Sequence, residues 1–217
     1  MSVVDRSGIL ARGPWDPDQV RVSWHERPYV PAPGASAEAD RRLGELRGRG
    51  SPSHDGLAAR LRDFCAGADG LALDCEPVRW ALRLLPGGAA GSLSALCVVR
   101  DCDGRWLAGH RAGWLATWAG RWALGAAGSV EVGENPVHTL ARELSEEWAV
   151  EPERLTVEAL VRLPTETTML IGQAWLASGA TVTANDEHDG YEWWAADPSD
   201  WPAHADEPLR LTAALVG

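Results

Sequence analysis

The stretch from residue 128 to residue 150, GSVEVGENPVHTLARELSEEWAV, constrains the fold more than any other part of this chain. Asn135 followed by Pro136 is typical of a helix start, because Asn is a favoured N-cap and Pro lacks the N–H that is unpaired in the first turn. Apolar residues then recur every three or four positions, which predicts a helix with one apolar face. They are Val137, Leu140, Leu144 and Trp148.

The same helix carries a cluster of carboxylates beside the apolar face. Glu143, Glu146 and Glu147 lie within about a quarter of the helix circumference, and Arg142 lies one turn before Glu146. Like charges at this spacing repel one another, and a hard divalent cation such as Mg²⁺ or Mn²⁺ would remove the repulsion. On spacing alone, a solvated acidic face explains the pattern as well as a metal site does.

The segment before the helix favours the metal site. Gly128, Gly133 and Glu134 form a loop with two glycines that leads into the helix N-terminus, where the dipole favours anionic groups. Together, loop and helix resemble the Nudix box, Gly-x5-Glu-x7-Arg-Glu-U-x-Glu-Glu-x-Gly-U, where U is a bulky aliphatic residue. The one departure is Ala149 at the final Gly, where a left-handed cap makes alanine cost on the order of 1 kcal/mol. The matching positions are Gly128, Glu134, Arg142, Glu143, Leu144, Glu146, Glu147 and Val150.

The resemblance implies a metal-dependent hydrolase that cleaves a phosphoanhydride in a nucleoside diphosphate linked to another moiety, such as a nucleotide sugar or ADP-ribose. It implies Mg²⁺ or Mn²⁺ as cofactor, which would lower the pKa of a bound water and so provide a nucleophile. Glu146 and Glu147 would be metal ligands, and Glu143 would be a ligand or assist the base. Arg142 would orient these carboxylates, and Glu134 would hold the loop.

A further acid usually lies on a loop beyond the box in this family, as metal ligand or general base. Our candidate is Glu187, because Glu-His followed by Tyr-x-Trp is similar to that loop. The alternative is a solvated surface acid beside Asp186 and Asp189. We assign no role to His138 or His188.

Substrate-binding candidates are Arg111, Trp114 and Gly128. Arg111 follows a predicted strand and could reach a phosphate, although an ordinary surface arginine also fits. Trp118 and Trp122 continue the four-residue spacing of Trp114. The three indoles could form an aromatic platform for a base, or they could pack against neighbouring strands.

The order of predicted elements indicates the α/β class, with an α/β/α sandwich and a mixed sheet like that of the Nudix fold. Residues 93–217 form the predicted Nudix domain, and residues 1–92 form a small α+β extension that ends in a linker at 86–92. In the domain we predict strands at 93–99, 105–110, 155–162 and 169–177 and a closing helix at 206–216.

The extension is rich in Pro and Gly up to residue 35, apart from a predicted edge strand at 20–24. A helix follows at 35–46. Residues 57–80 favour a hairpin that turns at 66–70, with a helix over 57–64 as the alternative.

Composition excludes several classes of function. The net charge of −11 argues against non-specific binding of nucleic acid or an anionic membrane. No apolar run reaches membrane-spanning length, and residues 1–8 lack a signal-peptide pattern. The four cysteines lack metal-ligand spacing, so we expect small buried thiols in a reducing cytosol. We therefore expect a cytoplasmic protein whose partner is a small-molecule nucleotide diphosphate, and a homodimer is compatible with the sequence.

Two other functions compete with hydrolysis. One is a Nudix-like nucleotide-binding or regulatory module without hydrolysis, but degenerate modules of that kind typically lose the box carboxylates, which all stand here. The other is an isomerase acting on an allylic or sugar diphosphate, since one fold hosts varied chemistry. The isomerases we compare need a catalytic Cys, and no Cys lies close to the box in this sequence.

Overall fold

The computed structural model describes residues 8–52, 55–86 and 90–216. Eleven strands and three α-helices are assigned in these ranges. In chain order they are β1 (Gly8–Trp15), β2 (Val20–Trp24), α1 (Ala35–Gly48), β3 (Leu57–Gly67), β4 (Gly70–Arg79), β5 (Leu93–Arg100), β6 (Trp106–Arg111), β7 (Trp122–Leu124), β8 (Ala126–Ser129), α2 (Pro136–Trp148), β9 (Arg154–Arg162), β10 (Thr168–Trp175), β11 (His188–Trp194) and α3 (Glu207–Val216).

A mixed sheet forms the centre of the structure. Its strand order is β1-β9-β10-β5-β6-β11, with β8 also paired to β5 and β7 also paired to β6. Strand β10 runs parallel to β5 and antiparallel to β9, so the predicted strands at 155–162 and 169–177 are neighbours in the sheet.

Both faces of this sheet are covered by a helix. Along β5, Cys97 and Val99 pack in the same buried cluster as Leu144 of α2. Val98, which points to the opposite face, packs in a second cluster with Leu209 of α3. Because side chains alternate between the faces of a strand, each helix buries its apolar stripe on one face. The predicted α/β/α sandwich is confirmed.

The part of the chain before β5 forms a second, three-stranded sheet with the order β2-β4-β3. Strands β3 and β4 form the predicted hairpin, in which Gly67 pairs with Gly70, and the alternative helix over 57–64 is wrong. The predicted edge strand is β2, which runs parallel to β4. The predicted helix is α1, and it packs on the 3-10 helix Trp80–Leu84. Residues 87–89 of the predicted linker lie outside the described residues.

Strand β1 was not predicted from the sequence. It pairs antiparallel with β9, with Ile9 opposite Val161, and the register shifts twice. Pro14 interrupts any alternating pattern, and an edge strand tolerates a proline because one side of it needs no ladder hydrogen bonds. The segment before β2 thus completes the main sheet, and the domain division at residue 92 stays a prediction.

The predicted burial of the cysteines is correct for two of them and wrong for the other two. Cys75 and Cys97 are buried as expected, but Cys65 and Cys102 are exposed, because each lies where a strand or turn leaves the core. All four thiols are free.

The tryptophans in and after the β6–β7 connection also differ in exposure. Trp122 lies in β7, where its indole stacks on His204 at 4.8 Å between ring centroids and lies 5.6 Å from Trp194. Packing is therefore the correct interpretation for Trp122. Trp118 is exposed, and the Arg121 guanidinium lies over its ring at 4.3 Å.

No helix in the described ranges is long and apolar enough to cross a membrane.

Ala149 ends α2 in the left-handed conformation, with φ 53° and ψ 38°. This is the geometry expected of the missing box glycine. We predict that Ala149→Gly raises the free energy of unfolding by about 1 kcal/mol, because glycine has no Cβ penalty in this region. Urea unfolding measures the change. Ala141→Gly, inside the same helix, should lower the free energy of unfolding by about 0.5–1 kcal/mol. If both substitutions changed the free energy of unfolding in the same direction, the left-handed cap at Ala149 would be contradicted.

Candidate functional site

The N-cap residue Asn135 holds the start of α2 through both the oxygen and the nitrogen of its side-chain amide. The Asn135 carboxamide oxygen accepts from the Val137 N–H at 3.0 Å, and its nitrogen donates to the Val20 carbonyl of β2 at 2.9 Å. Leu140, Leu144 and Trp148 are fully buried, so the helix cannot rotate without exposing them. The carboxylates beside this stripe consequently lie against β8 and the end of β6.

Arg142 is the centre of a network of ion pairs on the carboxylate side of α2. Its Nη1 lies 2.8 Å from Glu143 Oε1 and 3.1 Å from Glu146 Oε2. Its Nε lies 3.1 Å from Glu134 Oε1, and its Nη2 donates to the Ser129 carbonyl at 3.2 Å. One guanidinium thus joins the loop before the helix to two of its acids.

Glu134 fixes that loop. The Thr139 hydroxyl donates to Glu134 Oε2 at 2.7 Å, and the Glu131 N–H donates to the same oxygen at 3.1 Å. Burial by itself would raise the pKa of Glu134, but the hydrogen bonds from Arg142 and Thr139 outweigh it and lower that pKa. Gly133 has φ +86°, which explains a glycine at this turn.

Glu143 lies directly against the backbone of β8. A Cβ added to Gly128 would overlap the Glu143 carboxyl group, so only glycine leaves room for that carboxylate. Burial, with the neighbouring charge of Glu146, raises the pKa of Glu143 to about 7, although Arg142 opposes the shift.

Glu147 is the most buried acid of the cluster, with 2% of its surface exposed. The Ala127 N–H donates to its Oε1 at 2.9 Å, whereas its Oε2 is buried without a hydrogen-bond partner. Burial raises the pKa of Glu147 to about 8, and the carboxylates of Glu187 and Glu143 add to the shift.

Sequence reasoning missed His188, which closes the site beside Glu147. Its Nε2 lies 3.5 Å from Glu147 Oε2, and its ring lies 4.3 Å from the indole of Trp148. Neither ring nitrogen has a hydrogen-bond partner, and burial lowers the pKa of His188 to about 4. No local pattern distinguishes His188 from Asp186 and Asp189, because its burial follows from the pairing of β11 with β6.

Arg111 and Glu187 form the opposite side of the site. Arg111 is buried rather than a surface arginine, with its Nη2 3.5 Å from Glu187 Oε2 and its Nε without a hydrogen-bond partner. Burial raises the pKa of Glu187, Arg111 opposes this, and the charge of Glu146 adds to it. Glu187 is thus half-buried beside the other acids, unlike a solvated surface acid.

The structure brings most of the predicted site residues together. Trp114 is the exception: it lies partly exposed in the loop 112–121, and within the described ranges its indole makes no hydrogen bond or ring contact. The residues that meet are Arg111, Gly128, Glu134, Arg142, Glu143, Glu146, Glu147 and Glu187.

The donor set suits a hard divalent cation. In the part of the chain that the structure describes, no three His, Cys, Asp or Glu side chains already surround a common point, because Arg142 pairs with Glu143 and Glu146. However, Glu147 Oε2 has no hydrogen-bond partner, and burial raises the pKa values of Glu143 and Glu147, so a cation bound at this cluster would stabilise their charged forms. Carboxylate oxygens are the ligands that Mg²⁺ and Mn²⁺ prefer.

These raised pKa values predict a pH dependence of stability in metal-free protein. Above about pH 4.5 an unfolded Glu147 loses its proton, whereas the folded one keeps it until about pH 8. Between these values the folded state binds more protons, so the free energy of unfolding should fall as the pH rises. Urea unfolding in a chelator at pH 5 and pH 8.5 measures this fall. Glu147→Gln should show a smaller fall; an equal fall would contradict the assignment.

Comparison with known proteins identifies the family. The sequence model of the NUDIX domain matches residues 92–210, more than half of the chain. No curated protein sequence matches it.

Solved structures with a similar fold share little sequence. A MutT NUDIX hydrolase from Burkholderia pseudomallei is 22% identical, with a TM-score of 0.47, over 58% of this chain and 98% of that one. The NUDIX domain of NrtR from Shewanella oneidensis, solved with ADP ribose, is 21% identical, with a TM-score of 0.45, over 57% of this chain and 86% of that one. The assignment rests on the domain match: this chain belongs to the Nudix family.

Proposed function

We propose that this Nudix hydrolase cleaves the phosphoanhydride of a nucleoside diphosphate linked to another moiety, and that it needs Mg²⁺ or Mn²⁺. The observation that carries the proposal is the unpartnered, buried Oε2 of Glu147 among carboxylates whose pKa values are raised. Burying a carboxylate oxygen without a hydrogen-bond partner is costly, and a cation bound there would remove the cost.

Glu143, Glu146 and Glu147 would hold the cation. When bound, it supplies a water of lowered pKa and neutralises charge on the phosphate oxygens. Arg142 orients Glu143 and Glu146 through its ion pairs at 2.8 Å and 3.1 Å. The Ala127 N–H orients Glu147 from the other side.

Arg111 and Glu187 would act on the substrate side. The Nε–H of Arg111 has no hydrogen-bond partner. Once Glu187 releases the Arg111 guanidinium, that group can bind a phosphate through two hydrogen bonds. Glu187 then accepts a proton from the attacking water. Its raised pKa suits this role, because a general base works best when its pKa is near the working pH. The ring of His188 excludes water beside Glu147.

A panel of nucleoside diphosphate derivatives tests this function. We expect release of a nucleoside monophosphate with Mg²⁺ or Mn²⁺, and no release in a chelator, as followed by mass spectrometry. Binding of a nucleotide without any turnover would support the regulatory module instead. Metal-independent turnover would contradict the metal site.

The cellular setting is part of the same proposal. Four free cysteines suit a reducing compartment such as the cytoplasm. The homodimer stays a prediction.

A further inference from the structure

A cavity of about 420 Å³ lies beside the proposed catalytic site. The C-terminal part of α1 and the 3-10 helix Trp80–Leu84 line one side, and Ala116 and Thr117 of the β6–β7 connection line the other. The β6–β7 connection is tied to the site, because the Ala112 N–H donates to the Glu187 carbonyl at 2.8 Å. The part of the chain before the NUDIX domain therefore forms a wall of a space next to the acids.

The cavity is positively charged in an acidic protein. Arg42, Arg49 and Arg83 line it with a single acid, Glu45, whereas the whole chain carries a net charge of −11. Arg42 is paired with Glu45 at 3.8 Å and with Glu38 at 3.1 Å. Arg49 and Arg83 form no ion pair within the described residues, so their charges are available to a ligand.

Arg83 connects this cavity to the Nudix box. Its Nη1 donates to the Ser129 hydroxyl, and the carbonyl of the same Ser129 accepts from Arg142 at 3.2 Å. Its deep position and the charge of Arg111 lower the pKa of Arg83, while Glu143 opposes that shift. A group held by Arg83 therefore lies next to the acids of α2.

The lining suits a phosphate on a sugar better than a nucleobase. No aromatic side chain of the described residues lines the cavity, so a base would find no ring to stack on. Guanidinium groups bind phosphate through paired, charge-assisted hydrogen bonds. Leu46 and Leu84 provide an apolar surface for the carbons of a sugar, and the volume lies within the range of about 300–1,000 Å³ that is usual for ligand sites.

We propose that this cavity binds the half of the substrate that is not the nucleoside, and that this half is a sugar carrying a phosphate of its own. That the ligand is part of a substrate rests on the proposed hydrolysis; that the cavity binds a phosphorylated sugar does not. Arg49 binds this phosphate, and Arg83, which donates to the Ser129 hydroxyl next to Gly128, binds the end of the ligand nearer the Nudix box.

Titration calorimetry of metal-free protein with ribose 5-phosphate tests the cavity without using turnover. We expect wild type to bind ribose 5-phosphate and to bind ribose at least about tenfold more weakly, since one charge-assisted hydrogen bond is worth about 1.5–3 kcal/mol. Arg49→Gln and Arg83→Gln should each weaken binding of ribose 5-phosphate about tenfold or more. Arg21→Gln, at an exposed arginine of β2 that does not line the cavity, is the matched control and should bind like wild type.

Arg49→Gln decides the outcome even if Arg83→Gln fails to fold, because Arg49 is exposed. No binding by wild type, equal binding by Arg49→Gln and wild type, or equal binding of ribose and ribose 5-phosphate would each overturn the proposal. Loss of hydrolysis can be distinguished from loss of binding in the cavity, because Glu146→Gln should lose turnover and still bind ribose 5-phosphate.

Discussion

Glu146→Gln should lower kcat by about three orders of magnitude or more, with the melting temperature unchanged. The large effect follows because, under the proposed function, Glu146 would hold a divalent cation whose charge stabilisation is worth several kcal/mol, and a neutral amide cannot replace that carboxylate. Stability should be unaffected because the Glu146 side chain is 57% exposed and its pair with Arg142 at 3.1 Å is partly solvated. Nucleotide release with Mg²⁺ and thermal melting measure the two quantities.

The matched control for this substitution is Glu158→Gln, an acid on β9 that pairs with the Thr156 hydroxyl outside the site. It should retain wild-type turnover. Equal turnover by wild type and Glu146→Gln would remove the carboxylate–metal hypothesis altogether. The isomerase alternative would then need a nucleophile elsewhere, and both cysteines buried in the core have pKa values raised to about 12 by burial, which makes them poor nucleophiles.

Gly128→Ala should lower kcat about 100-fold while the protein remains folded. The added Cβ would overlap the Glu143 carboxyl group, which is the far end of a flexible side chain and can move aside. The fold therefore tolerates the methyl group, but Glu143 leaves its position beside Arg142, and a displacement of about 1 Å at a catalytic group can cost about 100-fold in rate. Turnover and urea unfolding of the variant distinguish the two effects.

Gly67→Ala serves as the control, because a Cβ at Gly67 meets no atom within 4 Å and the residue lies at the end of β3, away from the site. Its kcat should equal that of wild type. If Gly128→Ala kept full activity, the close contact between Gly128 and Glu143 would not serve catalysis. If the variant unfolded, the fold would not tolerate the added methyl group.

The predictions that followed from the sequence concern residues close together along the chain. Asn135 and Pro136 specify the start of α2, and the apolar spacing specifies its buried face. Each depends on neighbours within about one helical turn, so the pattern can be recognised without tertiary structure. The hairpin of β3 and β4 was predicted for the same reason, since a tight turn joins two adjacent strands.

The features that the sequence concealed join residues far apart along the chain. His188 is buried beside Glu147 only because β11 pairs with β6, and β1 is a strand only because β9 offers it an edge. Similarly, Arg83 reaches Ser129 across 46 positions of sequence. The residues next to His188, β1 and Arg83 in the sequence form no pattern that predicts these contacts.

By itself the sequence determined the family, the fold class and the carboxylates of α2, because a fixed spacing on one helix places the acids whatever surrounds it. Only the tertiary structure decided which acid is buried without a partner, which arginines face the acids, and what lines the cavity beside them. The physical reason is that burial and charge balance depend on all the surfaces that meet at a point. Those surfaces come from β6, β8, β11 and the segment before β5, which are separate in sequence.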